Sequence, residues 1–146
     1  MKSIIRDAKL APQGHDKINW VIEHMPVLNS LNKEFIKTKP LAGINMVVTV
    51  HLEAKTAYLC MVLKNAGANV VVTGSNPLST QDDVAAALAE HGIGVFAWYN
   101  TTQEEYDQFL HHALDTKPHI IIDDGGDLVS LLHGERADLA ANVMGG

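Results

Sequence analysis

Apolar residues along the chain alternate between the spacing of an amphipathic helix and the continuous runs of a buried strand. Helical spacing predicts helices over 18–35, 53–63, 79–92, 101–114 and 128–132, and Pro26 is expected to kink or divide the first. Runs rich in β-branched residues predict strands at 44–50, 69–73, 93–97 and 119–122. Strands that alternate with helices, without a hairpin signal, favour an α/β fold: one doubly wound parallel sheet with helices on both faces.

Polar residues at the predicted helix ends have the chemistry of caps. The candidates are Asp16 for the first helix, Ser79 and Thr80 for the third, Thr101 and Thr102 for the fourth, and Gly67 for the end of the second. Thr101 and Thr102 each stand three residues before a glutamate, which gives two overlapping capping boxes. Together with its apolar stripe, this start predicts an amphipathic fourth helix.

Composition narrows the class of protein. With 146 residues, 47% of them apolar and 19% charged, the chain is typical of one globular domain. A net charge of −6 argues against a nucleic-acid partner, and no apolar run is long enough for a membrane span or a signal peptide. We therefore expect a cytoplasmic protein with a small-molecule ligand. The single cysteine, Cys60, lies in an apolar run and is predicted to be a core residue rather than a reactive thiol.

Several common motifs are absent from the sequence. The eight histidines lack metal-ligand spacing, since His111 and His112 are adjacent on a helix and there is no HExxH or Cys/His cluster. There is also no P-loop, no nucleophile elbow and no GxGxxG dinucleotide fingerprint. We therefore expect neither a metal site nor a dinucleotide site in these residues.

In a doubly wound sheet, ligands bind beyond the carboxyl ends of the strands, so chemistry is sought just after Val50, Thr73, Ala97 and Ile122. The turn after the first strand contains His51, Glu53 and Lys55. Glu53 could simply interact with the helix dipole and Lys55 could be a solvated surface residue. His51 is the stronger candidate because it directly follows a buried strand.

Two further turns are candidates for ligand binding. The turn after the second strand carries Ser75, Asn76, Ser79 and Gln81, which could contact a ligand or only form a turn and cap the next helix; capping is the stronger interpretation. The last strand ends in Asp123 and Asp124 before two glycines. A carboxylate there could accept hydrogen bonds from ribose hydroxyls, or it could close an Asx-turn.

Taken together, the turns resemble those of one enzyme family. They read HLEAKTAYL at 51–59, GSNPLSTQDDVAAALA at 74–89, GIGVFAWYNTTQEEY at 92–106 and IIDDGGDL at 121–128. Their order and spacing resemble the adenosylhomocysteinases, and the resemblance runs from Asp7 to Gly146. The form HLEAKT is similar to the archaeal and thermophile branch of that family.

The resemblance implies an NAD-dependent enzyme that reversibly hydrolyses S-adenosyl-L-homocysteine to adenosine and homocysteine. NAD would oxidise the ribose 3′ hydroxyl, homocysteine would be eliminated, water would add and the ketone would be reduced again. By this resemblance, His51 matches a proton-transfer or positioning residue and Asp124 matches a carboxylate that contacts the substrate. Glu53 and Lys55 match two positions that face the purine. A loop beside the pocket is matched by Ser75, Asn76, Ser79 and Gln81. The animal branch has threonine and glutamate in place of Glu53 and Lys55, which leaves adenosyl and inosyl substrates both open.

The resemblance also implies that residues 1–146 are the N-terminal substrate-binding portion of the enzyme. The family continues with a further substrate glutamate, a catalytic lysine and aspartate, and an NAD-binding Rossmann domain, and it assembles as a tetramer. We therefore expect this chain alone to bind no NAD and to be inactive. The alternative is a non-catalytic module of the same fold that binds a nucleoside or a partner subunit.

Overall fold

Four parallel strands form one sheet in the order β3-β2-β1-β4 in the computed structural model, which describes residues 2–146. The strands are β1 (Asn45–Val50), β2 (Asn69–Gly74), β3 (Gly94–Phe96) and β4 (Ile120–Asp123). The helices are α1 (Ala11–His24), α2 (Pro26–Thr38), α3 (Ala54–Asn65), α4 (Asp82–Glu90), α5 (Gln103–Leu114), α6 (Asp127–His133) and α7 (Ala137–Ala140), and a 3-10 turn at Ala8–Leu10 precedes α1. The predicted doubly wound α/β fold is confirmed.

The two faces of the sheet pack against different helices because successive strand residues point to opposite sides. Met46 and Val48 of β1 belong to an apolar core with α1, α3 and α4, whereas Val47 packs in a second core with α5, α6 and α7. Cys60 is fully buried in the first core, as predicted, and this burial raises the pKa of its thiol to about 12. Within residues 2–146 no helix is both long and apolar enough to cross a membrane.

The first helix starts earlier than the sequence predicts. It begins at Ala11 with Pro12 in its first turn, so the prediction that Asp16 caps it is wrong; proline is well suited to a first helical turn. Pro26 does divide the segment, since α1 ends at His24 and α2 begins at Pro26. A Cβ at Gly14 would collide with the backbone of Asp83, so this glycine permits the close packing of α1 on α4.

Some of the other predicted helix caps are present in the structure and others are not. Thr102 and Glu105 form the full capping box of α5, and Gly67 follows α3 with a φ of +99°. Ser79 and Thr80 do not cap α4, which follows Gln81 and has no side-chain cap. Their hydroxyl groups instead make hydrogen bonds inside the preceding loop, a competing use that is common for serine and threonine in turns.

Candidate functional site

The strand order reverses direction between β1 and β4, and such a switch point opens a crevice at the carboxyl ends of the strands. His51 follows β1 and Asp124 follows β4. The two strands pair in parallel, and the backbone N–H of Asp124 donates to the carbonyl of Thr49 over 3.2 Å. His51 and Asp124 therefore lie at the same carboxyl edge of the sheet, on neighbouring strands, and both residues are exposed.

The loop between β2 and α4 is bound to the turn that carries His51. Its first residue, Ser75, donates its N–H to the Val50 carbonyl over 3.3 Å, and Gln81 at its end donates to the Leu52 carbonyl over 3.0 Å. Between these two anchors, the Ser79 hydroxyl oxygen lies 2.5 Å from Nδ1 of His51. The loop predicted from the sequence therefore does contact the turn that carries His51. Within residues 2–146, the contact of the Ser79 hydroxyl is with the histidine itself.

Asn76 shapes this loop from within. Its side-chain oxygen accepts from the backbone N–H of Leu78 over 2.9 Å, which is an Asx-turn. Its carbonyl oxygen is 3.1 Å from the backbone nitrogen of Ser79 and 3.1 Å from each of the hydroxyl oxygens of Ser79 and Thr80. The side-chain oxygen of Asn76 is thus used to form the loop.

Glu53 and Lys55 lie at the start of α3 but have different surroundings. Glu53 is the N-cap residue, and its Oε1 accepts from the backbone N–H of Thr56 over 3.2 Å. Lys55 is exposed and forms no hydrogen bond or ion pair with the residues described here, 2–146. Glu53 therefore does interact with the helix start, while the Lys55 ammonium is available to a ligand.

Helix α1 contributes residues that the sequence analysis did not consider. Lys17 Nζ lies 3.0 Å from Oε1 of Gln81 and 2.7 Å from the carboxylate of Asp83. An open groove with a volume of about 590 Å³ lies beside these residues. It is bordered by Lys17, Trp20, Glu53, Lys55 and Gln81, and Trp20 is 63% exposed. In the sequence, the signal for this face is a tryptophan that lies off the apolar stripe of its helix, three residues after a lysine.

The two aspartates after β4 are not equivalent. Both carboxylate oxygens of Asp123 accept backbone N–H groups, from Gly126 over 2.9 Å and from Val129 over 3.1 Å. Asp123 thus closes the turn with its side chain, although its partners lie three and six residues on and not two residues on as in an Asx-turn. The Asp124 side chain forms no hydrogen bond with residues 2–146. Deeper in the same region, the buried Tyr106 hydroxyl donates to Asp127 over 2.7 Å, and burial together with this carboxylate raises the pKa of Tyr106.

The turn after β1 does not fit a dinucleotide. A pyrophosphate would need the free N–H groups of a helix start behind a glycine-rich turn. Here the turn after β1 has no glycine, and the Glu53 carboxylate occupies the start of α3. Two anions at one helix start repel each other, so the turn after β1 does not hold the pyrophosphate of NAD.

The fold and the candidate site define a class of protein: a doubly wound α/β domain with polar side chains at its switch point. The family model for S-adenosyl-L-homocysteine hydrolase matches residues 2–144, and the chain belongs to this family.

Individual relatives in the family are similar over nearly the whole chain. The chain is 51% identical to an S-inosyl-L-homocysteine hydrolase from Methanococcus maripaludis, covering 99% of this chain and 35% of that protein. It is 50% identical to an adenosylhomocysteinase from Pyrococcus abyssi, covering 97% of this chain and 33% of that protein. The chain thus spans about a third of the length of these relatives.

Proposed function

We propose that this chain forms the nucleoside-binding domain of an enzyme that hydrolyses the thioether between a purine nucleoside and L-homocysteine. Membership of the S-adenosyl-L-homocysteine hydrolase family supports the reaction class, as do the names of relatives at 50–51% identity. The observation that carries the proposal is the placement of His51 and Asp124 on neighbouring strands at the switch point. An imidazole and a carboxylate that is unpaired within residues 2–146 suit a sugar that must be held by its hydroxyls and exchange a proton.

Each candidate residue has a distinct role in this proposal. Asp124 accepts hydrogen bonds from ribose hydroxyls, because an ionised carboxylate is an acceptor only. His51 holds or moves a proton beside the reacting part of the sugar, as imidazoles commonly do near neutral pH. The purine lies in the groove beside Glu53, Lys55 and Gln81, where a 6-amino or a 6-oxo group would meet polar side chains.

The resemblance to the family implies NAD, which supplies hydride transfer when it is bound. The sequence has no GxGxxG fingerprint and the turn after β1 does not fit the pyrophosphate of this cofactor, so the role proposed for this chain is binding, orientation and proton handling. The tetramer, the cytoplasmic location and the boundary of a substrate-binding domain at residues 1–146 stay predictions.

The test is an assay of the product of the complete open reading frame that contains these residues. We expect it to release homocysteine from S-adenosyl-L-homocysteine or from S-inosyl-L-homocysteine. The 146-residue chain alone is expected to release none and to retain no NAD after desalting. If the complete gene product binds nucleosides but releases no homocysteine from either thioether, the alternative of a non-catalytic binding module replaces the proposal.

A further inference from the structure

The described residues give Nδ1 of His51 one hydrogen-bond partner, and the direction of that hydrogen bond fixes which ring nitrogen carries the proton. Nδ1 lies 2.5 Å from the hydroxyl oxygen of Ser79. His51 forms no other side-chain hydrogen bond within residues 2–146. A neutral imidazole has one N–H donor and one bare acceptor nitrogen, and the partner of one nitrogen decides the state of the other.

The Ser79 hydroxyl has one hydrogen to donate. It lies 3.1 Å from the carbonyl oxygen of Asn76, which can only accept. When the hydroxyl donates to Asn76, its lone pairs face His51, so Nδ1 must carry the imidazole hydrogen. The result is a chain of hydrogen bonds from Nδ1–H to the Ser79 oxygen and from the Ser79 hydroxyl to the Asn76 carbonyl, in which each bond strengthens the next.

The position of Ser79 is set by the loop. Its backbone N–H donates to Asn76 over 3.1 Å, and the Gln81 N–H binds the loop to Leu52, next to His51 in the sequence. The Thr80 side chain is buried and donates its hydroxyl to the same Asn76 carbonyl. Ser79 is therefore held at His51 by contacts within the protein and needs no ligand to reach it.

We propose that Ser79 is a positioning residue that holds His51 as the Nδ1–H tautomer and leaves Nε2 as the free proton acceptor. The proposal rests on the proposed function for its catalytic consequence, while the tautomer itself is a property of this chain. It assigns Ser79 a role other than the substrate contact or helix cap predicted from the sequence. The turn after β2 then fixes the tautomer of the histidine after β1.

The tautomer can be measured without turnover. Nitrogen-15 NMR of the imidazole side chains in the 146-residue chain, at a pH well above the usual histidine pKa of about 6.5, distinguishes a protonated from a bare nitrogen. We expect His51 to carry its hydrogen on Nδ1 and Ser79→Ala to lose this preference. Ser79→Thr retains the hydroxyl and should retain the tautomer, and Ser30→Ala, on the exposed side of α2, should change nothing. A hydrogen on Nε2 in the parent, or the same tautomer in Ser79→Ala with an intact amide spectrum, would overturn the proposal.

The catalytic consequence is tested in the complete gene product. We expect Ser79→Ala to lower kcat about 10-fold to 100-fold with little change in KM, because a misoriented base loses much of the typical contribution of a positioned base. Ser79→Thr should recover most of the rate. An altered tautomer with unchanged kcat would remove Ser79 from the mechanism. If the parent gene product turns over neither thioether, the proposed function fails, and the NMR measurement still decides the tautomer.

Discussion

Asp123 and Asp124 are adjacent in the chain, yet their carboxylates have opposite roles at the end of β4. The Asp123 oxygens accept the N–H groups of Gly126 and Val129, and this closes the turn into α6. Asp124 forms a backbone hydrogen bond to Thr49, and its exposed carboxylate remains unpaired within residues 2–146. One residue therefore builds the edge of the site, and the other is available to a ligand.

Isosteric substitutions should separate these two roles. Asp123→Asn places an NH2 group against a backbone N–H, so we expect the free energy of unfolding to fall by about 1–2 kcal/mol. Asp124→Asn should change stability by less than about 0.5 kcal/mol but lower kcat/KM about 10-fold or more, because it loses a charge-assisted hydrogen bond. Urea denaturation and steady-state kinetics measure the two effects. A large stability loss in Asp124→Asn with unchanged kinetics would contradict the assignment.

Most of the fold was predictable because it follows from apolar periodicity. Each strand and helix that the spacing predicts is present, and the alternation alone implied the parallel sheet. The errors lie at helix starts. Asp16 and Thr80 both have N-cap chemistry, but Pro12 starts α1 earlier, and the Thr80 hydroxyl is used inside a loop. Cap chemistry alone does not decide where a helix starts, because a proline in an earlier turn or a hydroxyl bond inside the preceding loop competes with it.

The candidate site was predictable only in part. The edge that holds His51 and Asp124 was predictable because both residues directly follow strands of a parallel sheet, and ligand sites lie at the carboxyl ends of such strands. The division of labour between Asp123 and Asp124 depends on where the next helix begins, which their shared residue type does not reveal. Lys17 was missed because its contact with Gln81 joins residues 64 positions apart, and no local pattern encodes such a contact.

Loss of the His51 imidazole should affect the chemical step. We expect His51→Ala in the complete gene product to lower kcat about 100-fold, a typical contribution of a positioned acid or base. His133→Ala is the matched control because His133 is exposed on α6 and makes no hydrogen bond within residues 2–146. Unchanged kcat in His51→Ala, with both variants folded by circular dichroism, would reduce His51 to a structural residue.

The overlapping threonines before α5 offer a direct comparison of two capping registers. Thr102 accepts from the backbone N–H of Glu105, whereas the buried Thr101 hydroxyl has no hydrogen-bond partner within residues 2–146. We expect Thr102→Ala to lower the free energy of unfolding by about 1 kcal/mol. Thr101→Val replaces an unpaired hydroxyl by a methyl group of similar shape and should leave stability unchanged or raise it. Thermal or urea unfolding of both variants tests the ranking, and the reverse order would contradict it.

Cys60 should be chemically silent in the folded chain. Burial raises the pKa of its thiol to about 12 from the ordinary value of 9.0, so the reactive thiolate is scarce near neutral pH. Labelling by a thiol reagent at mildly alkaline pH is expected to require unfolding and to become fast in denaturant. The thiol ionises first in the unfolded chain, so the free energy of unfolding falls as pH rises from about 9 towards 12. Rapid stoichiometric labelling of the native chain would show that the cysteine is accessible.

Two side chains of the groove beside α1, Gln81 and Lys55, offer hydrogen-bond donors to a ligand. An ammonium has no acceptor, so the Gln81 oxygen must face Lys17 and the amide NH2 is directed elsewhere. The exposed Lys55 adds a second donor group and forms no ion pair with Glu53. The carbonyl oxygen of a 6-oxo purine accepts from such groups, whereas the amino group of adenine does not. Relatives of both names have 50–51% identity, so overall similarity does not decide the base.

We therefore predict that the complete gene product uses S-inosyl-L-homocysteine at least as well as S-adenosyl-L-homocysteine. Lys55→Glu supplies an acceptor in place of a donor and should shift the ratio of kcat/KM values about 10-fold or more towards the adenosyl substrate, because a mismatched partner leaves polar groups unpaired. Lys33→Glu, which makes the same charge change on the exposed side of α2, should leave the ratio unchanged and serves as the control. The measurement is kcat/KM for both thioethers with each protein. A strong adenosyl preference in the parent that Lys55→Glu does not alter would show that Lys55 does not contact the base.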